Sequence, residues 1–288
     1  MASILVTGAS RGIGLATALL LGRAGHTVHA TMRSPDRAPE LAQTAQTERL
    51  AVHVSTMDVD FDASVTEAIG AIEKAHGPLD VLVNNAGIER NGTTEELDFA
   101  EFRAVMETNY FGVLRCIKAV LPQMRARRSG CIVNVTSVAG RISASPLGSY
   151  AASKFALEAL SEALAQEVKM FNIRVAIVQP GIIDTAMARR LAQESGASPY
   201  PHARRMAGLF GASLQTPTAP EEVARKIGEI IEGGTWQLRH PVGPDAGPFL
   251  QWRAAMTDEQ WVDWGAADDV TWYQSVERDF GLDARPPK

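Results

Sequence analysis

The chain has few cysteines and no long apolar run, and these absences exclude several classes of protein. Only two of its 288 residues are cysteine, Cys116 and Cys131, and both lie in apolar stretches. They form neither a disulfide framework nor a zinc-ligand spacing, so we interpret them as small buried side chains in a reducing compartment. No apolar run reaches the roughly 20 residues that span a bilayer, so we expect no transmembrane segment.

Excess positive charge, metal-ligand spacing and a targeting signal are also missing. The net charge is -5 at pH 7, and no basic run alternates with aromatic residues, which argues against nucleic acid as a partner. The histidines are too scattered along the chain to predict a metal site, and we interpret them as surface or packing residues: His26, His29, His53, His76, His202 and His240. The first residues, MAS, lead directly into a strand-like run, which predicts no signal peptide and a cytoplasmic location.

Short, nearly continuous apolar runs alternate with amphipathic segments along most of the chain. Such runs are typical of parallel strands buried on both faces, and they lie at 4–8, 27–32, 50–59, 79–87, 131–137 and 173–181. Their alternation with helices predicts an α/β fold with a doubly wound parallel sheet, that is, a Rossmann fold. We expect long helices at 98–127 and 150–171, with Pro122 kinking or shortening the first.

The pattern predicts one catalytic domain over residues 1–243 and a C-terminal extension over 244–288. An irregular stretch rich in Ala, Gly, Ser and Pro, at about 182–218, follows the last apolar run and is typical of a substrate-binding loop. All five tryptophans lie at or after position 236, and TDEQ at 257–260 matches a capping box that begins a short helix. This aromatic tail either packs on the domain or a partner subunit, or forms a wall of the substrate pocket.

The segment TGASRGIG at 7–14 lies between the first apolar run and the first helical segment. Glycines at this place allow a tight turn and a close approach of the backbone to a pyrophosphate, whose charge is favoured by the helix N-terminus. Ordinary turns also use glycine, so the position between strand and helix is what favours a dinucleotide site. The predicted cofactor-binding residues of this loop are Gly8, Ser10, Arg11, Gly12, Ile13 and Gly14.

The second apolar run ends in ATMR. In dinucleotide-binding folds an acidic residue at this place accepts a hydrogen bond from the ribose 2′-hydroxyl, but this sequence has Arg33 there. Arginine suits a 2′-phosphate instead, so Arg33 and Arg11 predict a preference for NADP(H), while NAD(H) stays possible. Either arginine alone is also compatible with a solvated surface charge. Asp58, with its neighbour Val59, is placed to contact the adenine, or else serves as a surface or capping residue.

Several further motifs follow in order: NNAG at 84–87, Asn109 in METNYFG, Ser137 in NVTS, YAASK at 150–154, and QPG followed by Thr185. Together with the glycine loop they resemble the short-chain dehydrogenase/reductase family from about residue 3 to about residue 240. Each motif is short, but their joint order and separation are specific. VHATMR, SYAASKFALEALSEALA and TWQLRHPVG are similar to the branch that contains 17β-hydroxysteroid and retinol dehydrogenases.

The resemblance implies roles for residues that their own chemistry does not assign. Asn109 would hold a helix distortion and a water that links Lys154 to solvent. Asn84, Asn85, Ala86 and Gly87 would lie on the adenosine side of the cofactor and brace the sheet. Four residues would border the nicotinamide: Pro180, Gly181, Ile183 and Thr185. Members of the family are usually dimers or tetramers, so we expect a homodimer or a homotetramer.

Tyr150 and Lys154 are spaced i and i+4, which places both side chains on one helix face. Hydride transfer to a carbonyl leaves an alkoxide that needs a proton, and Tyr150 is the candidate general acid and base. We expect Lys154 to lower the pKa of Tyr150 and to bind the nicotinamide ribose, so both residues would also contact the cofactor. Ser137 would polarise the carbonyl. Any helix can begin with such a pair, but its combination with Ser137 and the glycine loop favours an active site.

The expected substrate pocket is mostly apolar. Its predicted residues are Val138, Ser143, Leu147, Met187 and Leu191, with Gly140, Met206, Leu209 and Phe210 nearby. This composition favours a hydrophobic secondary alcohol or ketone, although core packing also explains each residue. A non-catalytic dinucleotide sensor and a nucleotide-sugar epimerase or dehydratase are the two alternative functions. A non-catalytic dinucleotide sensor would be expected to lack the Tyr, Lys or Ser, and an epimerase or dehydratase on nucleotide sugars usually carries a larger C-terminal domain.

Overall fold

Seven parallel strands form one sheet in the computed structural model, which describes residues 1–193 and 197–286. The strands are β1 (Ser3–Thr7), β2 (Thr27–Met32), β3 (Val52–Thr56), β4 (Val81–Asn84), β5 (Gly130–Val135), β6 (Ile173–Pro180) and β7 (Arg239–Val242). Their spatial order is β3-β2-β1-β4-β5-β6-β7, so the winding direction reverses beside β1. The predicted doubly wound parallel sheet is confirmed, and β7 is a strand that the apolar runs did not predict.

Helices cover both faces of this sheet. Those of the described residues are α1 (Gly12–Arg23), α2 (Glu40–Glu48), α3 (Asp62–His76), α4 (Phe99–Met106), α5 (Gly112–Arg127), α6 (Gly148–Lys169), α7 (Ala186–Ala192), α8 (His202–Ser213), α9 (Pro220–Gly233), α10 (Ala246–Ala254), α11 (Asp258–Ala266) and α12 (Asp269–Phe280). In β1, Ile4 and Val6 join a core with α1 and α9, whereas Leu5 joins a second core with α3, α5 and α6. Successive strand residues point to opposite faces, which is why the strands read as continuous apolar runs.

A π-helical turn at Glu107–Phe111 divides the predicted long helix at 98–127 into α4 and α5. Insertions of this kind commonly mark functional sites. Pro122 lies inside α5, which nevertheless continues to Arg127, so the expected shortening does not occur. The second long helix, α6, is shifted by two residues relative to the predicted 150–171.

The sequence predicted an irregular segment at about 182–218. The structure instead contains two helices there, α7 and α8. The hydroxyl of Thr185 accepts from Ala188 N at 3.3 Å and caps the start of α7. Leu191 and Met206 are buried, so each helix has an apolar side against the domain. Residues 194–196 of the predicted loop lie outside the described residues.

The C-terminal tail folds into α10, α11 and α12 and packs on the domain. The predicted capping box is present, with Thr257 and Gln260 bonding each other's backbone. Arg205 of α8 is 3% exposed and joins the two parts. It donates to Asp269 at 2.8 Å and to the carbonyl oxygens of Gly265 and Ala267 at 3.3 and 2.7 Å. Among the residues that the structure describes, no helix combines the length and the apolar character that crossing a membrane requires.

Candidate functional site

A cavity of about 590 Å³ lies along the carboxyl ends of the central strands. Most of the predicted site residues line it: Gly8, Ser10, Arg11, Gly12, Ile13, Arg33, Asp58, Val59, Asn85, Ala86, Gly87, Ser137, Val138, Leu147, Tyr150, Lys154, Pro180, Gly181, Ile183, Thr185, Met187 and Leu191. Gly14, Asn109 and Ser143 do not line the cavity. The carboxyl edge of a doubly wound sheet is where such folds bind ligands, because the strand order reverses there.

The loop between β1 and α1 is built for a close approach of backbone to ligand. Gly8 and Gly12 have φ of +67° and +56°, a region that favours glycine. A Cβ at Gly8 would lie 2.7 Å from the Cα of Ala86, and one at Gly14 would lie 2.5 Å from Nδ2 of Asn85. Gly14 is therefore needed for packing beneath the loop rather than for lining the cavity. The open loop at the start of α1 fits a pyrophosphate, since free N–H groups and the helix dipole favour an anion there.

The segment after β4 forms hydrogen bonds that hold the glycine loop in place. Asn85 Nδ2 donates to the carbonyl oxygens of Thr7 and Gly8 at 3.0 and 3.1 Å. Thr7 Oγ1 accepts from the backbone N–H groups of Asn85 and Ala86 at 3.1 and 3.0 Å. Asn84 is buried and donates to Asn134 Oδ1 at 2.9 Å, which links β4 to β5. These bonds hold the glycine loop in one conformation.

Arg11 and Arg33 are exposed at the end of the cavity where an adenosine ribose would lie. Neither guanidinium forms a hydrogen bond or ion pair with another residue in the described ranges, so both are available to an anion. Asp58 Oδ1 accepts from Asp60 N at 3.1 Å, which stabilises the turn after β3. The pKa of Asp60 is raised, mainly by burial, and the positive charge of Arg33 opposes that rise.

The cavity floor brings together the hydroxyl groups of Ser137 and Tyr150. Ser137 follows β5 and lines the cavity together with Tyr150, whose pKa its hydroxyl lowers. Ser137 Oγ also accepts from Ala139 N at 3.1 Å, which fixes its rotamer. Lys154 is 4% exposed and donates from Nζ to Val135 O at 2.9 Å. Its Nζ lies 5.6 Å from the centroid of the Tyr150 ring. Two hydroxyl groups in one cavity with a buried ammonium can bind and protonate a carbonyl oxygen.

The expectation that Lys154 lowers the pKa of Tyr150 stays a prediction, because other groups account for the shift of that pKa in the structure. Burial raises the pKa of Tyr150 to about 12, with the hydrogen bond from Ser137 opposing the rise and the charge of Glu89 adding to it. Burial lowers the pKa of Lys154 to about 8, against the attraction of the Glu158 carboxylate. Burial disfavours the charged form of both groups, and Lys154 Nζ is held at a strand carbonyl. Tyr150 is therefore a neutral phenol, a proton donor, at pH 7.

Asn109 lies in the π-helical turn and is fully buried, so it acts on its surroundings rather than on the cavity. Its Nδ2 donates to Ile88 O at 2.8 Å and to Ser153 Oγ at 2.9 Å, while Oδ1 accepts from Ile88 N at 2.8 Å. These bonds attach α6 to the segment after β4. The helix distortion that the resemblance implied at Asn109 is present, and the water-mediated link to Lys154 stays a prediction.

Among the cavity residues that the sequence did not single out, Glu89 and Arg190 form an ion pair. Glu89 is 4% exposed, and Arg190 of α7 donates to its carboxylate at 2.5 Å. Both side chains line the cavity. The only sequence signal was the place of Glu89 two residues after the NNAG motif.

Ser143 lies outside the cavity, contrary to prediction, and side chains of the tail line it instead. The carbonyl oxygen of Ser143 accepts from the indole N–H of Trp261 at 3.1 Å, which holds the loop against the tail. The tail residues that line the cavity are Phe249, Trp252, Trp261, Trp264, Val276 and Phe280. Of the two roles that the sequence left open for the tail, packing on the domain and forming a pocket wall, the structure shows both.

Comparisons with known proteins agree with this geometry. The chain is 41% identical over 254 residues to a 3-ketodihydrosphingosine reductase of Bacteroides thetaiotaomicron, covering 86% of this chain and 88% of that protein. It is 34% identical over 267 residues to retinol dehydrogenase 8 of Bos taurus, covering 88% and 85%. A solved structure of an actinorhodin polyketide ketoreductase variant with NADPH is 30% identical, with a TM-score of 0.76 and coverage of 85% and 97%.

A family model described as short chain dehydrogenase matches residues 2–196, which include the glycine loop, Ser137, Tyr150 and Lys154. The chain therefore belongs to the short-chain dehydrogenase/reductase family, whose members are oxidoreductases that bind nicotinamide dinucleotides and act on small molecules.

Proposed function

We propose that this protein is an NADP(H)-dependent reductase that converts a hydrophobic ketone into a secondary alcohol, and that it catalyses the reverse oxidation at higher pH. The observation that carries the proposal is that Ser137, Tyr150 and Lys154 line the same cavity as the glycine loop. In that arrangement the oxygen of a substrate carbonyl can accept hydrogen bonds from two hydroxyl groups, while the carbonyl carbon faces the cofactor.

The residues present fit the cofactor along the whole cavity. The loop from Gly8 to Gly14 would hold the pyrophosphate, and Asp58 with Val59 would border the adenine. Pro180, Gly181, Ile183 and Thr185 would border the nicotinamide, beside Lys154. When bound, the reduced nicotinamide supplies the hydride that the carbonyl carbon accepts.

Side chains of the protein would donate the proton and stabilise the negative charge that develops on the substrate oxygen. Ser137 donates a hydrogen bond to the substrate oxygen and stabilises it as charge builds up. Tyr150 gives its hydroxyl proton to that oxygen and later regains one from solvent. Because burial keeps Tyr150 protonated, with a pKa of about 12, the site favours reduction at neutral pH. The ammonium of Lys154 stabilises the phenolate left behind after transfer and binds the nicotinamide ribose.

The preference for NADP(H) over NAD(H) rests on Arg11 and Arg33. A 2′-phosphate would give these two exposed guanidinium groups a partner, and bidentate contacts between arginine and phosphate are strong. The similar ketoreductase structure holds NADPH, which supports the same preference. An NAD(H)-dependent dehydrogenase is the alternative that a direct comparison of the two cofactors would reveal.

Assembly as a homodimer or homotetramer is part of the proposal. Phe111, next to α5, and Phe155 of α6 are exposed at 43% and 41%, although large apolar side chains usually avoid water. A symmetric partner packed on these helices would cover both. Light scattering on the purified protein would give the oligomeric state.

Loss of NADPH absorbance with a panel of ketones tests the proposed activity. We expect Tyr150→Phe to lower kcat by at least about 10²-fold, as removal of a general acid commonly does, with NADPH binding retained. Tyr110→Phe is the matched control, because Tyr110 lies outside the cavity and its ring contact with Phe111 would persist. Turnover that survives in Tyr150→Phe would overturn the mechanism.

A further inference from the structure

Five aromatic side chains of the C-terminal tail form one continuous surface at the cavity, which we call the aromatic wall: Phe249, Trp252, Trp261, Trp264 and Phe280. Trp252 is central to it. Its ring centroid lies 5.6, 5.1 and 4.9 Å from those of Trp261, Trp264 and Phe280. Because Ser137 and Tyr150 line the same cavity, a substrate held at these hydroxyls can extend to the wall.

The three tryptophans of the wall have no free hydrogen-bond donor for a ligand. Trp252 Nε1 donates to Asp279 at 3.3 Å, Trp261 Nε1 to Ser143 O at 3.1 Å, and Trp264 Nε1 to Ser275 Oγ at 2.9 Å. An indole has a single N–H group and accepts no hydrogen bond through nitrogen. The wall therefore presents only ring faces and ring edges, and these recognise apolar or aromatic surface rather than polar groups.

The wall is also held in place. The bonds of the indole groups fix ring orientation, and Arg205 of α8 bonds the carbonyl oxygens of Gly265, in the last turn of α11, and of Ala267, the residue after this helix. Behind the wall, Trp272 is buried and its ring centroid lies 5.5 Å from that of Trp264. The wall tryptophans are themselves only half-buried, so part of their surface faces the cavity. A fixed aromatic surface loses little conformational freedom when a ligand binds.

We propose that the aromatic wall is a substrate subsite that binds a flat ring system, so that the substrate class is aryl or fused-ring ketones rather than linear ones. This inference rests on the ketone reduction proposed above. A flat ring forms stacked or edge-to-face contacts with the wall, which favour it beyond the effect of apolar area alone. A linear chain of equal size lacks these contacts and loses more rotational freedom on binding.

The test compares methyl naphthyl ketone with methyl decyl ketone, which have the same number of carbon atoms. We expect kcat/KM of the native protein to be higher for the naphthyl compound by about tenfold, the factor that a favourable aromatic contact contributes. In Trp252→Leu this preference should disappear, mainly through a higher KM for the naphthyl ketone. The decyl ketone should be affected by less than about twofold, because leucine keeps an apolar surface.

Two further variants separate the subsite from a general effect on folding. Trp236→Leu is the matched control, since Trp236 is 48% exposed, lies outside the cavity and contacts Lys169. It should leave both ketones unaffected. Trp252→Phe keeps an aromatic ring at the wall and should restore most of the preference. Equal losses for both ketones in Trp252→Leu, or no naphthyl preference in the native protein, would overturn the inference.

Calorimetric binding of methyl naphthyl ketone to the protein with NADP⁺ distinguishes this inference from the proposed activity. Binding that depends on Trp252 but is not accompanied by turnover would support the proposed subsite and overturn the proposed reductase activity. Suppose instead that ketones are turned over and that Trp252→Leu leaves the binding of methyl naphthyl ketone unchanged. This result would support the proposed reductase activity and overturn the proposed subsite.

Discussion

Arg190 donates to both carboxylate oxygens of Glu89 at 2.5 Å, although the two residues lie 101 positions apart. The pair joins α7 to the segment after β4 and lies at the cavity that also contains Tyr150. Glu89 is buried and Arg190 is largely exposed, so the carboxylate is held near the phenol while its partner faces solvent. The negative charge of Glu89 adds to the rise in the pKa of Tyr150.

Replacing Glu89 with glutamine should make Tyr150 easier to deprotonate. Glu89→Gln removes a negative charge that disfavours the phenolate, so the pH dependence of alcohol oxidation should move to lower pH. The measurement is kcat/KM for oxidation across a pH series. Glu48→Gln, at a surface pair with Arg23, is the control. An unchanged profile in Glu89→Gln would show that the charge does not act on the base.

The two directions of the reaction should differ in their pH dependence. Reduction needs the phenol of Tyr150, which is protonated at pH 7 because its pKa is about 12. Oxidation needs the phenolate, so its rate should rise steadily as the pH is raised above neutrality. Initial rates in both directions, at saturating cofactor, check this. An oxidation rate that peaks below pH 7 would contradict a Tyr150 that is protonated at neutral pH.

Arg33→Ala should weaken NADPH binding selectively. A guanidinium–phosphate contact is a charge-assisted bond, so its loss should raise the KM for NADPH by about 10- to 100-fold. NADH lacks the phosphate, and its KM should change by less than about threefold. Arg37→Ala is the matched control, as Arg37 is exposed nearby but does not line the cavity. Equal effects on the two cofactors would mean that Arg33 does not read the 2′-phosphate.

Three histidines that are scattered in sequence meet in the structure. The register of β2 with β3 places His29 beside His53, and His76 ends α3 next to them. Their ring centroids are 5.5, 4.8 and 4.7 Å apart. No group of three His, Cys, Asp or Glu side chains within residues 1–193 and 197–286 has an arrangement suited to a metal ion. We therefore keep the interpretation of packing, although the contact itself was not expected.

This histidine cluster should destabilise the protein in mild acid. Burial, followed by the charges of His76 and His53, lowers the pKa of His29 from 6.5 to about 4. Between these values the unfolded chain binds a proton that the folded chain does not, so stability falls as the pH drops from about 6.5 towards 4, by on the order of 1 kcal/mol per pH unit. Above about pH 6.5 this contribution to stability is fully present.

Urea unfolding at pH 7 and pH 5 measures this loss. His29→Gln should reduce the difference between the two free energies of unfolding, since the titrating group is gone. His202→Gln, on α8 and away from the cluster, should keep the native difference. If His29→Gln retains the full pH dependence, other groups cause it.

The local pattern determined much of the fold and of the cofactor site. Alternating residues of β1 face two separate cores, and this burial on both faces is what makes Ile4, Leu5 and Val6 a continuous apolar run. The glycine loop, and the helical spacing of Tyr150 and Lys154, are equally local, because a tight turn and a single helical turn depend on a few adjacent residues. The π-helical turn was predicted only through the resemblance at Asn109, and β7, which lacks a local signal, was missed.

Only the tertiary structure decided how the ends of the cavity are built. The contact of Glu89 with Arg190 and that of Trp261 with Ser143 span 101 and 118 positions, and no local pattern encodes where the chain brings such residues together. The protonation of Tyr150 was also decided there. Spacing placed Lys154 on the same helix face, but burial among distant segments sets the pKa of both groups. The sequence thus predicted which groups would do the chemistry, while packing determined what surrounds the cavity and how the pKa values of Tyr150 and Lys154 shift, because both depend on the exclusion of water by residues far apart in the chain.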